Sequence, residues 1–156
     1  MNTQRRTFLT ASMAAGTVAV AVSTGLLVPS TVLAAWPAKA FESRKLDVAM
    51  NEIIGTAKAI DSKDIVVEAP DIAENGAVVS VTVKSKIPNT ESISLFVPVN
   101  AFPLSASYTL ASNTDGFVTT RLKMAKTSDI VAYVKAGGKT YTAKKAVKVT
   151  LGGCGG

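Results

Sequence analysis

The residue of this chain best suited to covalent chemistry is its only cysteine, Cys154, which lies within the terminal segment GGCGG. A structural cysteine belongs in a core, where it behaves as a small hydrophobic residue. A catalytic cysteine needs a rigid, electropositive pocket beside a base. The sequence around Cys154 indicates neither environment, so activation of the thiol must come from a partner. We interpret the segment as a handle for covalent attachment, carried on a flexible arm of four glycines: Gly152, Gly153, Gly155 and Gly156.

The composition of this arm suits entry into a narrow channel of another protein. Glycine has no side chain and therefore permits close approach to another backbone. Fully extended, residues 152–156 span roughly 17 Å at ~3.4 Å per residue. The segment is not a phosphate-binding loop, because no helix follows it.

Three other interpretations of the tail remain open. It could be an ordinary disordered terminus that happens to contain a cysteine. It could form an intermolecular disulfide, which an oxidising compartment permits, in a structural β-sandwich subunit cross-linked through Cys154. The terminal Gly-Gly also occurs in ubiquitin-like sulfur carriers, but those need ATP-dependent adenylation and a β-grasp fold.

The other residue types exclude most catalytic chemistry within the chain. There is no histidine, which removes the usual general base and metal ligand. One cysteine cannot form a thiolate metal site, and the carboxylates are scattered singly. We therefore predict no catalytic, cofactor-binding or metal-binding residues, and a protein whose substrate is processed by partner enzymes.

The N-terminal residues 1–34 have the features of an export signal. Arg5 and Arg6 precede an uncharged stretch that continues to Lys39, and Val32-Leu33-Ala34 provides small residues for a signal peptidase. The pattern resembles a twin-arginine signal, although Gln4 and Thr10 depart from its usual form. A transmembrane anchor is the alternative, but Leu and Ile are scarce for a bilayer span. We expect cleavage after Ala34, a periplasmic location and no stable membrane insertion.

Charge is unevenly distributed over the mature chain. Residues 35–120 have a net charge of −3, whereas residues 121–148 have a net charge of +7. Such lysines can simply be solvated strand faces, or they can create a field that favours anionic substrates or acidic partners near the tail. Nucleic acid is not an expected partner, because no aromatic residues are interleaved for base stacking.

The periodicity of residues 35–151 predicts one β-rich domain. Apolar residues at helical spacing from Leu46 to Ile54, followed by Gly55, predict one short N-terminal helix. The period then changes to two, and Val79, Val81 and Val83 share one strand face. Strands are predicted at 65–69, 77–85, 92–99, 105–110, 117–124, 129–136, 139–143 and 146–151.

This number and spacing of short strands predicts an immunoglobulin-like antiparallel β-sandwich. The cysteine pair of antibody domains is absent, so only the architecture is expected. The domain organisation is therefore a leader (1–34), a sandwich with an N-terminal helix (35–151) and a flexible C-terminal arm (152–156). The arm should leave the body at the end of the last strand.

Several segments resemble the SoxY family of sulfur carrier proteins. They are the twin-arginine leader, PDIAENGAVVSVTV (70–83), TRLKMAKTSDIVAYVKAGGKTY (120–141) and AKKAVKVTLGGCGG (143–156), of which the GGCGG terminus is the most specific. One departure is Asn100-Ala101-Phe102-Pro103, where a second proline is expected after the asparagine. This difference concerns local loop geometry and not the carrier role.

The resemblance implies a function in thiosulfate oxidation. The cysteine at position 154 would carry thiosulfate-derived sulfur while partner enzymes act on it in turn. A haem-containing enzyme would conjugate thiosulfate to the thiol, a thiosulfohydrolase would release sulfate, and in complete pathways a sulfane dehydrogenase would oxidise the remaining sulfur. The resemblance also implies a heterodimer with a SoxZ-like subunit, and no cofactor of the carrier itself.

Overall fold

The described part of the chain, residues 36–150 of a computed structural model, is a β-sandwich that carries two short helices. The helices are α1 (Ala38–Glu42) and α2 (Leu46–Ile54). The strands are β1 (Ile60–Asp61), β2 (Ile65–Glu68), β3 (Ile72–Ala73), β4 (Val79–Ser85), β5 (Thr90–Phe96), β6 (Leu104–Thr109), β7 (Phe117–Leu122), β8 (Ser128–Ala136) and β9 (Lys139–Val149).

Two sheets form the sandwich. The larger has the strand order β1-β9-β8-β5-β6, with β3 also paired to β9, and the smaller has the order β2-β4-β7. All pairs are antiparallel except those of β1 and β3 with β9, which are parallel. The predicted immunoglobulin-like sandwich is confirmed, and the two parallel pairs are an addition that the sequence pattern did not predict.

Alternating apolar residues of both sheets form the core between them. Val79, Val81 and Val83 of β4 are buried, as predicted, while Ser80 and Lys84 are exposed on the other face. Burial of a valine side chain contributes about 1.5–3 kcal/mol relative to leaving it in water. The same cluster includes residues from the larger sheet, chiefly Ile93, Leu95, Ile130, Ala132, Val134 and Val147.

The helices cover the outer face of the larger sheet. Ala40 of α1 and Ala49 of α2 are fully buried in a second cluster with Phe96. Phe96 and Tyr133 meet edge to face with ring centroids 5.5 Å apart. The Tyr133 hydroxyl donates to the sulfur of Met50 at 3.9 Å, and burial, with a smaller effect of Asp61, raises the pKa of that tyrosine.

The structure has two helices where the sequence predicts one. The prediction for Leu46–Ile54 is confirmed, and Gly55 ends the helix with a positive φ of 67° while its amide donates to the carbonyl of Asn51. The additional helix, α1, is five residues long and follows Pro37. A segment this short shows too little of the helical period to be identified from its pattern.

Strand β9 corrects another prediction. The sequence predicts separate strands at 139–143 and 146–151, but residues 139–149 form one strand of 11 residues. Thr150 follows that strand, and residue 151 lies outside the described residues. Strand β8 pairs along it from Ala136↔Lys139 to Ser128↔Val147, which keeps the polar middle of β9 extended. Gly137 and Gly138, both at positive φ, form the two-residue hairpin turn between the strands.

Candidate functional site: the root of the C-terminal arm

The residues predicted to carry chemistry lie outside the described part of the chain. Cys154 and the arm glycines 152, 153, 155 and 156 follow its last residue, Thr150. Arg5, Arg6 and Ala34 of the predicted leader precede its first residue. The structure therefore defines the place from which the arm departs, which we call the arm root: the end of β9 with Thr150, and the segments that hydrogen-bond to them.

Two neighbours fix the end of β9 at the arm root. On one side the Val149 amide donates to Thr127 Oγ1 at 3.0 Å, which extends the pairing with β8 beyond its last backbone pair. On the other side β3 pairs in parallel, Ile72 with Lys148 and Ala73 with Val149. The Thr150 amide donates to the Ala73 carbonyl at 3.1 Å. Hydrogen bonds thus hold the backbone as far as Thr150, which is four residues before Cys154 in the sequence.

An ion pair reinforces the contact between β3 and β9. The Lys145 ammonium donates to the Asp71 carboxylate, and the Lys148 amide donates to the Asp71 carbonyl at 2.9 Å. The hydrogen bond and the charge of Lys145 hold the pKa of Asp71 below its ordinary value. Because the Asp71 side chain is largely exposed, this pair contributes modestly and is sensitive to salt.

Three loops meet beside the arm root and are joined by hydrogen bonds. Asn100 donates through Nδ2 to the Lys123 carbonyl at 2.6 Å and accepts the Ala125 amide through Oδ1 at 3.0 Å. Met124, fully buried between these two residues, donates its amide to the Gly76 carbonyl at 2.7 Å. The loop 123–127 therefore links the loop around Asn100 to the arm root through Thr127.

A cleft of about 330 Å³ opens at this junction. We call it the Asn100 cleft; its lining includes Asn100, Phe102, Ser105, Arg121, Lys123 and Ala125. The exposed ring of Phe102 has the Arg44 guanidinium 5.4 Å from its centroid. Arg121 is exposed on β7 and forms no ion pair with a carboxylate of residues 36–150.

The sequence allowed two interpretations of the positive charge of residues 121–148: solvated strand faces or a field that favours anions. Each applies to different residues of the segment. Lys144 and Lys145 lie in ion pairs with Asp129 and Asp71, as expected of solvated strand faces. Arg121 and Lys123 line the Asn100 cleft instead. Positive charge therefore also lines the Asn100 cleft, where it favours an anionic group.

Within residues 36–150 no three acidic side chains are close enough together to hold a metal ion. No buried side-chain polar atom of this part of the chain lacks a hydrogen-bond partner, so no orphaned group points to a missing ligand. No helix among these residues is long and apolar enough to cross a bilayer.

Several residues of the arm root were not identified from the sequence. Thr127 and Asp71 lie in two of the segments that carry the family resemblance, 120–141 and 70–83, but their roles depend on strand pairing that periodicity does not reveal. One signal for the cleft was the departure at Asn100-Ala101-Phe102-Pro103, which contributes three lining residues and the buried Pro103.

By its fold, the described part of the chain is an immunoglobulin-like β-sandwich, and the sequence continues beyond its last strand. The sequence model of the sulfur oxidation protein SoxY matches residues 50–154, which include the cysteine. The sulfur carrier protein SoxY from Chlorobium limicola f thiosulfatophilum is 44% identical, over 69% of this chain and 97% of that chain, with a TM-score of 0.63. The chain belongs to the SoxY family of sulfur carrier proteins.

A second similarity concerns a different kind of protein. The superoxide reductase (neelaredoxin) from Ignicoccus hospitalis is 20% identical, over 55% of this chain and 79% of that chain, with a TM-score of 0.48. At this level the similarity carries no argument about function. Comparison with curated protein sequences gave no match.

Proposed function

We propose that the chain binds thiosulfate-derived sulfur covalently on Cys154 and presents it to the enzymes of a sulfur-oxidation pathway. The observation that carries this proposal is that the SoxY similarity extends to residue 154, the position of the only cysteine. The arm root supports it, because hydrogen bonds fix the chain as far as Thr150, four residues before Cys154 in the sequence.

The loading step requires an oxidant that this chain does not provide. The Cys154 thiol loses its proton and forms an S–S bond to the outer sulfur of thiosulfate, and two electrons leave to a haem-containing partner. The product is a cysteine S-thiosulfonate, which carries a negative charge on its terminal sulfonate. Hydrolysis by a second enzyme adds water across the outer S–S bond, releasing sulfate and leaving a persulfide on the cysteine. A sulfane dehydrogenase would act on that persulfide in complete pathways.

The proposed partners follow from the family. We propose a heterodimer with a SoxZ-like subunit, and a periplasmic location reached through the twin-arginine leader at residues 1–34. A companion subunit without its own signal would then be exported together with this chain. Deletion of residues 1–34 should leave both subunits in the cytoplasm, and normal export of the companion without this leader would contradict co-export.

The variant Cys154→Ser tests the carrier role directly. We expect it to lose all covalent sulfur loading and all thiosulfate turnover in a mixture with the partner enzymes, because serine cannot form the S–S bond. Its circular dichroism spectrum should match that of the parent, since the core and the arm root lie before residue 151. Turnover retained by the serine variant would overturn the proposal.

Intact-mass measurement of protein purified from its native source separates this function from a structural role. A carrier should show small sulfur adducts on Cys154. A stable protein–protein disulfide at Cys154, without such adducts, would instead identify a cross-linked structural subunit.

A further inference from the structure

We propose that Asn75 is a site of spontaneous covalent modification, at which its side-chain amide becomes a carboxylate through a cyclic imide formed with Gly76. The site lies in the loop between β3 and β4. Of the asparagines in the sequence, Asn75 alone precedes a glycine. The inference goes beyond the carrier function and does not depend on the chemistry of Cys154.

The reaction consumes only water. The Gly76 backbone nitrogen loses its proton to base and attacks Cγ of Asn75, so that a C–N bond forms and a five-membered imide closes. The side-chain nitrogen leaves Cγ as ammonia and takes up a proton as it departs. Water then adds to one of the two imide carbonyl carbons and breaks its bond to the nitrogen. Attack at Cγ gives aspartate, and attack at the main-chain carbon gives isoaspartate.

The hydrogen bonds of the loop bring the two reacting groups together. Asn75 Oδ1 accepts the Ala77 amide at 2.9 Å, which is an Asx turn in which the side chain folds back along the following residues. The ring closed by this hydrogen bond contains both Cγ of Asn75 and the nitrogen of Gly76. The Val78 amide also donates to the Asn75 carbonyl, at 3.4 Å, and closes a second turn over the same residues. The folded loop therefore starts near the geometry of the imide.

The attacking nitrogen is not committed to another contact. Within residues 36–150 the Gly76 amide donates no hydrogen bond. Glycine has no β-carbon to obstruct the approach of Cγ. Asn75 is exposed to water, whereas Gly76 is buried and its carbonyl accepts the Met124 amide at 2.7 Å. Base therefore reaches the nitrogen during local opening of an exposed turn, which needs no unfolding of the core.

The other asparagines of the described part of the chain lack this combination. Asn89 and Asn113 precede threonine, whose β-branched side chain crowds the neighbouring backbone. The side chain of Asn100 is held by two hydrogen bonds to the loop 123–127. Asn51 lies within α2, where the backbone amides are used in helical hydrogen bonds. These four residues provide internal controls for the reaction at Asn75.

The modification would act on the contacts that hold the arm root. Ala73 accepts the Thr150 amide and Gly76 accepts the Met124 amide, so Asn75 lies between two of these contacts. Isoaspartate inserts a methylene group into the main chain between them. We therefore expect faster hydrogen exchange at the Met124 and Thr150 amides in the isoaspartate form. The variant Asn75→Asp has the new charge with a normal backbone and should change this exchange less.

The test follows the full-length folded chain during incubation in buffers from neutral to mildly alkaline pH, with tryptic digestion and mass spectrometry. The tryptic peptide 64–84 contains Asn75 as its only asparagine. We expect this peptide to gain the mass of replacing NH₂ by OH and to separate into two products, aspartate and isoaspartate. Its rate should exceed those of the other asparagine-containing peptides at least about tenfold, a barrier difference of about 1.4 kcal/mol. The rate should rise with pH, because the attacking nitrogen must lose a proton.

The variant Asn75→Gln is the matched control. Its side chain is one methylene longer and would have to close a six-membered ring, so peptide 64–84 should keep its mass over the same incubation. The proposal is overturned if that peptide of the parent chain also keeps its mass. Formation of aspartate without isoaspartate would overturn it as well, because it would indicate direct hydrolysis of the side chain and not attack by Gly76. Neither failure would bear on the carrier role, which the variant Cys154→Ser tests separately.

Discussion

The side chain of Asn100 joins its own loop to the loop 123–127 beside the arm root. Its amide satisfies the Lys123 carbonyl and the Ala125 amide, and the residue itself is half-buried. Removal of one partner from a partly buried hydrogen bond costs the desolvation of the group left behind. We therefore expect Asn100→Ala to lower the free energy of unfolding by about 1–3 kcal/mol, measured by urea denaturation.

Asn75 provides the matched control for this substitution. Its side chain accepts one exposed local hydrogen bond, from the Ala77 amide at 2.9 Å. Asn75→Ala should cost less than about 1 kcal/mol, because water can replace that bond. Equal destabilisation by the two variants would show that Asn100 has no special part in joining the loops.

The arm glycines give a second prediction at the scale of single residues. Valine adds two methyl groups beside the reacting sulfur and is stiff at χ1. We expect Gly153→Val and Gly155→Val to react normally with a small alkylating reagent. Both should lower kcat/KM of the hydrolase for the loaded carrier at least about tenfold, a barrier change of about 1.4 kcal/mol. Alanine at the same positions should do less harm.

The comparison between alkylation and turnover is the control within this experiment. A general loss of thiol accessibility would slow both reactions, whereas a narrow enzyme channel would slow only turnover. If the glycine and valine forms are processed at the same rate, entry of the arm into a channel is excluded as the reason for the glycines.

At the scale of secondary-structure elements, the short strand β3 decides how firmly the end of β9 is held. Asp71→Asn removes the charge that pairs with Lys145 and should accelerate hydrogen exchange at the Thr150 amide, which donates to Ala73. The folded-state pKa of Asp71 is lowered, so its stabilisation is present above the ordinary pKa of an aspartate. That stabilisation is lost as the pH falls through the lowered value. The difference in exchange between parent and variant should therefore vanish in acid.

The ion pair between Lys84 and Glu68 serves as the control for this element. It joins β4 to β2 in the smaller sheet, with a distance of 2.7 Å between the charged atoms. Glu68→Gln should leave exchange at Thr150 unchanged. High salt should reduce the effect of Asp71→Asn, because exposed pairs are screened. A Thr150 amide that exchanges equally fast in the parent and in Asp71→Asn would mean that backbone pairing alone secures the arm root.

At the scale of the whole molecule, the sequence predicted the features that depend on a repeated pattern. Alternation in β4 and helical spacing in α2 identified elements whose burial the structure confirms. Two-residue strands have no period, so β1 and β3 were missed. The polar pair Lys144-Lys145 interrupts the apolar pattern of β9, and only its pairing with β8 shows that the strand continues.

The candidate site also has a part that the sequence pattern predicts and a part that it does not. The sole cysteine between four glycines is a local signal, and it predicts a handle without any knowledge of the fold. Because Cys154 lies outside the described residues, the handle stays a prediction. The arm root and the Asn100 cleft combine residues that lie far apart in the chain, such as Ala73 with Thr150 and Asn100 with Ala125. No local pattern encodes such pairs, so they become visible only when the strands are assembled.

The parallel pairing of β9 has a consequence for the order of folding. Its partners in β1 and β3 precede it by about 80 residues, and closing loops of that length is entropically costly, so these contacts should form late. The strand that leads to Cys154 is also the last strand described in the chain. A partly folded chain thus has an intact thiol but no fixed origin for the arm. The fixed end of β9 is therefore a property of the completed sandwich, and local unfolding of β3 and the end of β9 would release it before the core is lost.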